Sequence, residues 1–217
     1  MAKRRRTAVL ISGRGSNLQA LLAAARDPAY PADIVLVVSN RPAAPGLALA
    51  RDAGVTALAI DHKGFATRAD FDAGLDRTLR LHGVELVACA GFMRILTAEF
   101  LRAWEGRIIN IHPALLPLYK GLDTHARALA DGVRVHGCTA HFVVPEIDSG
   151  PIIAQAAVPV LSDDSAESLA ARVLEAEHRL YPMAIALVAS GQARLEGAAA
   201  VIAAPADATA RLFSPSV

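Results

Sequence analysis

Two polar residues, Asn110 and His112, stand at the end of an apolar run and could together stabilise a negatively charged oxygen. The run RIINIH at 107–112 predicts a buried strand, and Pro113 follows it. Because alternate residues of a strand point to the same face, Asn110 and His112 project together while Ile111 faces the other way. An amide donor beside an imidazole suits a developing oxyanion. A satisfied polar pair in a loop is the alternative, since a lone histidine is more often structural.

Asp148 lies in the segment EIDSG at 146–150 and is a carboxylate that could serve this histidine. A carboxylate close to an imidazole favours the charged imidazolium, which can donate a proton. Sequence alone does not bring Asp148 near His112. An ordinary acidic loop residue is therefore the competing interpretation.

Three other histidines, His125, His136 and His141, fall in the same half of the chain. Their spacings match no zinc template, and the two cysteines, Cys89 and Cys138, do not complete one. We interpret these histidines as structural or loop residues and expect no bound metal. A serine nucleophile is also disfavoured, because the sequence contains no G-x-S-x-G elbow.

A glycine-rich turn, GRGSN at 13–17, joins the first apolar run to a helical pattern. Free N–H groups at a helix start favour an anion, and glycines let a ligand approach the backbone, so a phosphate is the natural occupant. The dinucleotide fingerprint fails because Leu18 holds the third glycine's position, and no Walker lysine follows. A tight turn with an N-cap at Ser16 or Asn17 is an equally good interpretation.

The elements that must position these residues begin with alternating strand and helix patterns. Short apolar runs predict strands, and apolar residues three or four apart predict helices. The predicted strands lie at 7–12, 34–39, 57–60 and 84–90, with helices starting at 16–17, at 47–53 and across 71–79. This order predicts an α/β fold with a doubly wound, mostly parallel sheet of Rossmann-like type. Ligands of such sheets bind beyond the carboxyl ends of the strands, here at the turns 13–17, 40–42 and 91–94.

The second half predicts an antiparallel element in the same fold. After the strand 107–112 and the loop 113–121, we expect a helix at 124–130 and two β-rich runs at 139–144 and 152–160. A long helix follows, with Asp164 as N-cap and Glu167 as its partner, and Pro182 should end or kink it. Residues 198–204 could add a strand, and the Leu116–Pro117 bond could be cis.

The composition is that of a globular chain that is not built for nucleic acid or membranes. Apolar residues make up 53% of the 217 residues, aromatic residues 5%, and the net charge is +1. A basic run at 3–6 is expected to be a frayed terminus. No segment approaches the ~20 apolar residues of a membrane span or contains a signal-peptide core. With only two cysteines, a reducing cytoplasm fits best.

Four segments together resemble the folate-dependent phosphoribosylglycinamide formyltransferase family. They are VLISGRGSNLQALL at 9–22, GFMRIL at 91–96, IINIHPALLP at 108–117 and HGCTAHFVVPEIDSGP at 136–151, and the likeness extends over about residues 7–190. It implies transfer of a formyl group from the co-substrate 10-formyltetrahydrofolate to the amine of glycinamide ribonucleotide in purine synthesis, without a metal. Asn110 and His112 would stabilise the tetrahedral oxyanion, and His112 would donate a proton. Asp148 would keep His112 charged and relay protons through water.

The resemblance also implies where each substrate binds. Gly15, Ser16 and Asn17 would hold the ribonucleotide phosphate, and Glu177 would contact its ribose or glycinamide part. The folate would be held by the backbone of 144–148 and by six side chains: Arg68, Met93, Arg94, Ile95, Leu96 and Asn110. Arg14 and Leu174 depart from the family pattern, and Leu174 removes one expected phosphate contact.

We expect a single formyltransferase domain, with a nucleotide-binding half at about 7–104, a catalytic and folate half at about 105–195 and an Ala-rich tail at 196–217. Two other functions of the same superfamily are disfavoured by this expectation. A methionyl-tRNA formyltransferase would carry a further C-terminal domain, and a formyltetrahydrofolate deformylase would carry an N-terminal regulatory domain. A non-catalytic nucleotide-binding module would use only the glycine turn and would leave the trio unexplained. The expected partners are small molecules, with no nucleic acid and no membrane, and the protein is expected to be a monomer or homodimer.

Overall fold

The computed structural model describes residues 3–203 and residue 214. The strands are β1 (Arg5–Ile11), β2 (Ala32–Ser39), β3 (Thr56–Ala59), β4 (Leu86–Cys89), β5 (Ile108–His112), β6 (Val135–Phe142), β7 (Ile152–Pro159), β8 (Ala193–Glu196) and β9 (Ala199–Ile202). The helices are α1 (Ser16–Ala25), α2 (Gly46–Asp52), α3 (Arg68–Leu81), α4 (Ala98–Ala103), α5 (Thr124–Ala130) and α6 (Ala166–Ala189). Seven strands form one sheet in the order β3-β2-β1-β4-β5-β6-β7, and β8 pairs with β9 in a separate hairpin.

The strands β1 to β5 run parallel to one another, and β1 is the middle strand of these five, between β2 and β4. Helices cover both faces, which is why β4 is apolar throughout and β1 is apolar from Ala8 to Ile11. One face packs against α1, α2 and α6 through residues such as Leu21 and Ile185. The other packs against α3 and α4 through Phe71 and Trp104. The predicted doubly wound sheet is confirmed.

The strand direction changes at β5, which pairs parallel with β4 and antiparallel with β6. The register places Asn110 opposite His141 and His112 opposite Thr139. β7 continues the antiparallel pairing beyond β6, so the expected antiparallel element of the second half is also confirmed. The loop that joins β6 to β7 passes so close to β6 that a Cβ at Gly150 would lie 1.7 Å from the Phe142 carbonyl oxygen. Only glycine fits there, which fixes the path of the loop that carries Asp148.

The caps of two helices differ from the sequence prediction. Gly15, with φ of 82°, is the N-cap of α1, and no side chain caps that helix, so the proposed cap at Ser16 or Asn17 was wrong. The N-cap of α6 is Ser165, whose hydroxyl accepts from the Ser168 amide, and the predicted Asp164 cap was wrong. Asp164 is instead held by Arg172 through two hydrogen bonds of 2.7 and 2.9 Å. The Asp164 carboxylate therefore forms an ion pair with Arg172 and does not cap the helix.

The long helix does not end at Pro182 but continues to Ala189. An interior proline costs about 3 kcal/mol. The apolar face around it, with Leu180, Tyr181 and Ile185 buried against the sheet, offsets that cost. The short elements α4 and β8 were not predicted, because six and four residues carry too little periodicity. The predicted strand at 198–204 is β9, although residue 204 and most of the following tail lie outside the described residues.

The basic run at 3–6 was expected to fray, and that prediction was wrong for its arginines. Arg4 donates to the Ala25 carbonyl at the end of α1, and Arg6 donates to the His82 carbonyl that follows α3. Arg5 donates to the Val188 carbonyl in the last turn of α6. Each guanidinium therefore satisfies a carbonyl at a helix C-terminus, where the helix dipole also favours positive charge. Within the described part of the chain, no helix has the length and apolar character to cross a membrane.

Candidate active site

A cavity of about 730 Å³ opens beyond the carboxyl ends of β4 and β5. Asn110 and His112 line it from β5, and Asp148 lines it from the loop between β6 and β7. Ligands of doubly wound sheets bind in this position. The structure thus brings together the three residues that the sequence proposed as a set, although they come from segments 36 residues apart.

His112 is held from both sides of its ring and is buried. Its Nδ1 lies 3.3 Å from Asp148 Oδ2, and its Nε2 lies 2.9 Å from the Tyr119 carbonyl oxygen. Both partners are acceptors, so an imidazolium with an N–H on each nitrogen satisfies the two contacts at once. A ring with two N–H donors of this kind suits proton donation once the Tyr119 carbonyl is exchanged for a substrate oxygen.

Asp148 is one of the few non-glycine residues in the left-handed region, with φ of 49°. Strained backbone of this kind persists where surrounding contacts hold it, often at functional sites. Here Asp148 Oδ2 accepts a hydrogen bond of 2.9 Å from the Gly121 amide, and Lys120 Nζ donates to the neighbouring Ser149 hydroxyl. The loop after β5 therefore fixes the loop after β6, and the carboxylate is presented to His112.

Asn110 has a partner that sequence reasoning assigned to a structural role. Its Nδ2 lies 3.3 Å from Nε2 of His141, whose Nδ1 lies 2.9 Å from the Phe142 carbonyl oxygen. Burial lowers the pKa of His141, which favours the neutral ring. With its proton on Nδ1, His141 uses Nε2 as the acceptor for the Asn110 amide and so orients that side chain. Cross-strand register could have revealed His141, had the pairing of β5 with β6 been known.

His125 on α5 and His136 on β6 form an edge-to-face pair, with ring centroids 5.3 Å apart and ring planes at 86°. Burial, helped by the neighbouring His125, lowers the pKa of His136 to about 4. Tyr119 packs against the other side of His136 with its ring centroid 5.6 Å away. Among the described residues, no group of three or more His, Cys, Asp or Glu side chains could hold a metal ion.

Most of the expected folate-binding residues line the same cavity. Met93, Arg94, Ile95 and Leu96 follow β4 and form one wall, opposite the backbone of 144–148. The Arg94 guanidinium lies 4.7 Å from the centre of the Phe71 ring, and its buried Nε has no partner among the described residues. Arg68, by contrast, is the exposed first residue of α3 and is not part of the cavity lining. The structure therefore does not place Arg68 with the other expected residues.

A second, smaller cleft of about 260 Å³ lies over the start of α1. Gly15, Ser16 and Asn17 line it. Asn17 Nδ2 donates a hydrogen bond of 2.6 Å to Glu177 on α6. Burial raises the pKa of the Glu177 carboxyl group.

The two clefts adjoin at the carboxyl end of β4, where Gly91 and Met93 line both of them. Ser12 holds this junction: its hydroxyl donates to Asn40 at 2.5 Å and accepts from the Met93 amide at 2.8 Å. Sequence reasoning did not single out Ser12, because its role depends on contacts with two other strand ends. A ligand in each cleft would therefore meet its neighbour beside Gly91 and Met93, and Asn110 lies on the strand that pairs with β4.

The chain is similar in sequence to known formyltransferases. The family model described as formyl transferase matches residues 5–185. The phosphoribosylglycinamide formyltransferase of Escherichia coli is 42% identical over 192 residues, which are 88% of this chain and 91% of that protein. The trifunctional purine biosynthetic protein adenosine-3 of Gallus gallus is 53% identical over 186 residues. This chain spans 18% of the length of that larger relative.

Solved structures give the same result. The crystal structure of glycinamide ribonucleotide transformylase 1 from Symbiobacterium toebii matches with a TM-score of 0.90 and 48% identity, over 93% of this chain and 95% of that one. The phosphoribosylglycinamide formyltransferase from Brucella melitensis matches with a TM-score of 0.84 and 49% identity, over 87% and 97% of the two chains. The chain therefore belongs to the formyltransferase family, among the relatives named phosphoribosylglycinamide formyltransferase.

Proposed function

We propose that this protein transfers the formyl group of 10-formyltetrahydrofolate to the amine of N1-(5-phosphoribosyl)glycinamide in de novo purine biosynthesis. The products are formylglycinamide ribonucleotide and tetrahydrofolate. The observation that supports this most directly is the position of His112, held between Asp148 and Tyr119 next to Asn110 in the larger cleft, which adjoins the smaller one.

In this reaction the substrate amine attacks the formyl carbon, and a C–N bond forms as the carbonyl oxygen becomes an oxyanion. The Asn110 amide and the His112 imidazolium stabilise that oxygen. In the structure the Nε2 of His112 is hydrogen-bonded to the Tyr119 carbonyl oxygen. This bond has to break before the Nε2–H can donate to the oxyanion. The amine loses a proton, the folate nitrogen gains one, and the bond between that nitrogen and the carbon breaks. Asp148 keeps His112 charged and relays the proton through water.

The two clefts divide the substrates between them. The larger one, with an apolar wall that includes Ile95 and Leu96, takes the folate. The smaller one takes the ribonucleotide, with its phosphate at the backbone N–H groups of the α1 start and its glycinamide end near Glu177. Within the same proposal, the protein works in the cytoplasm on small molecules, without nucleic acid or membrane, as a monomer or homodimer.

Release of tetrahydrofolate on mixing the protein with both substrates is the direct test. We expect turnover that depends on glycinamide ribonucleotide, and His112→Ala should abolish it while ribonucleotide binding is kept. His82→Ala, at the end of α3 and away from both clefts, is the matched control and should remain active. Turnover with water or charged tRNA in place of the ribonucleotide would overturn the assignment. Ligand binding without any turnover would instead favour a nucleotide-binding module.

A further inference from the structure

The small cleft over α1 contains a buried acceptor that lacks a partner. Asn17 is 8% exposed and lines the cleft, and its Nδ2 is used by Glu177. Its Oδ1 has no hydrogen-bond partner among the described residues. Buried polar atoms are almost always paired, so this oxygen indicates that a ligand with a donor group completes the site.

The backbone at the same place is ready for an anion. α1 is ten residues long, no side chain caps it, and its first turn contains no acidic residue. Its first N–H groups therefore lie beside the cleft without an intrahelical acceptor. A ligand with hydroxyl groups next to a phosphate, such as a ribose phosphate, satisfies both Asn17 and the helix start.

A phosphate dianion in this cleft also needs positive charge, and α6 does not provide it. The α6 side chain that reaches Asn17 is the acid Glu177, and Leu174, one turn earlier on the same face, is apolar. The α6 residue Arg172 is held by Asp164 through two hydrogen bonds and is not part of the cleft lining.

The positive charges lie on the opposite side of the cleft. Among the described residues that line it, the cationic ones are Arg14, in the glycine turn, and Arg41, in the turn after β2. Both side chains are exposed, and neither guanidinium is engaged by a carboxylate within the described part of the chain. Arginine presents its donors in a fork that matches two oxygens of a phosphate.

The two turns that carry these arginines are fixed to each other. Gly46 donates from its amide to the Gly13 carbonyl at 3.1 Å, and its Cα lies close to Gly15. Ser12 and Asn40, the residues that precede the two turns, share a hydrogen bond of 2.5 Å. The backbone positions of Arg14 and Arg41 are thereby set before binding, and only their side chains have to adjust.

We infer that Arg14 and Arg41 form a two-arginine clamp that neutralises the 5′-phosphate of the ribonucleotide substrate and so selects the phosphorylated form. This inference rests on the proposed function. The clamp acts in binding and does not touch the reacting atoms. Because both groups are exposed in the free protein, each should contribute moderately, with an effect that weakens as salt is raised.

Kinetics with two substrates isolate the phosphate contribution. Arg14→Ala and Arg41→Ala should each raise KM for glycinamide ribonucleotide roughly 5- to 10-fold with little change in kcat, in line with loss of one hydrogen bond of ordinary strength from an exposed side chain. Glycinamide riboside, which lacks the phosphate, should be a poor substrate that these variants use as well as the parent protein does. Lysine at either position should restore part of the affinity because it keeps the charge.

Arg26→Ala is the matched control, since it removes the same charge at the far end of α1, about 15 Å away for ten residues at 1.5 Å each. It should leave both substrates unaffected. Equal losses on riboside and ribonucleotide, or no loss on either, would overturn the clamp. Circular dichroism and the lysine variants separate misfolding from lost contacts.

Direct binding keeps this inference separate from the proposed reaction. Ribose 5-phosphate and ribose are titrated into the parent protein and into the double variant Arg14→Ala/Arg41→Ala, with calorimetry as readout. Binding of ribose 5-phosphate by the parent and its loss in the double variant would support the clamp, even if no formyl transfer were found. Equal binding by the two proteins would refute it even if formyl transfer were fast.

Discussion

His112 faces one hydrogen-bond acceptor at each ring nitrogen, and these two contacts come from different loops. Its Asp148 partner lies in strained backbone, pinned by the Gly121 amide. A carboxylate held in this way costs stability, and proteins retain such strain where a precise position matters. The role of the Asp148 charge can be tested with a substitution that keeps the size and shape of the side chain.

Replacing Asp148 by Asn keeps the size of the side chain and removes its charge. We expect kcat to fall by about 100- to 10,000-fold, the range for loss of acid–base catalysis, because the imidazolium loses its counter-charge. Steady-state kinetics measure the loss, with Asp163→Asn, on the exposed loop before α6 and away from both clefts, as control. A rate near that of the parent protein would remove Asp148 from the mechanism.

His141 is expected to act as a positioning residue through Asn110. His141→Leu removes the acceptor for the Asn110 amide and should lower kcat roughly tenfold, the cost of about 1.4 kcal/mol for one misaligned donor. His141→Gln restores an acceptor and should recover part of the rate, while KM for both substrates changes little. Equal rates in the two variants would argue for a purely structural histidine.

At the scale of elements, the parallel half of the sheet was predictable because each of its strands is a short apolar run between helical patterns. Asn110 and His112 were paired correctly from strand periodicity alone. Asp148 and His141 could not be placed in that way, because their positions depend on the register of β5 with β6 and on one loop crossing another. Sequence patterns report local periodicity, whereas these contacts are made between distant segments.

The caps were missed for a related reason. Asp164 and Glu167 fit the capping pattern, but Arg172, eight residues after Asp164, competes for the aspartate. The prediction for the basic run was wrong for the same reason. A cluster of charges is typical of a solvated terminus, and the sequence does not show that these arginines bind carbonyls at helix C-termini. For both Asp164 and the basic run, a contact with a residue outside the local sequence pattern determined the conformation.

The His125–His136 pair, formed between α5 and β6, should make the fold sensitive to acid. The pKa of His136 lies at about 4 in the folded protein against 6.5 ordinarily, so the unfolded chain takes up its proton first as the pH falls. Stability is thus full above about pH 6.5 and is lost towards pH 4, by about 2 to 3 kcal/mol from this residue. Burial lowers the pKa of His125 and His141 as well, which adds in the same direction.

Urea unfolding at several pH values between 7 and 4 measures this loss. His136→Phe keeps a ring against Tyr119 but cannot be protonated, so its free energy of unfolding should fall less steeply over that range. His82→Phe, at the exposed end of α3, is the control and should follow the parent curve. Parallel curves for the parent and His136→Phe would rule out His136 as the source.

Across the whole molecule, the arginines of β1 and the residue before it connect the central strand to the ends of α1, α3 and α6. These bonds are partly buried and charge-assisted, unlike the exposed ion pair of Lys3 with Glu85. Charge-assisted bonds to buried carbonyls are worth more than exposed ion pairs. The two kinds of interaction stand side by side in one short segment.

Arg4→Met should lower the free energy of unfolding by about 1 to 2 kcal/mol, because the carbonyls of Ala25 and Ala32 lose their donor. Lys3→Met is the neighbouring control and should change it by less than about 0.5 kcal/mol. Chemical denaturation measures both values, and kcat should be unaffected in both variants. Equal free energies of unfolding for the two variants would indicate that the basic run is a solvated terminus.

The bond between Arg5 and the Val188 carbonyl spans 183 residues of sequence. During translation, β1 leaves the ribosome long before the helix turn that its arginine serves. The face of the sheet that packs against α1 and α2 also waits for α6, whereas the opposite face is covered once α3 and α4 exist. The nascent chain therefore exposes one unfinished apolar surface until α6 has been synthesised and has packed.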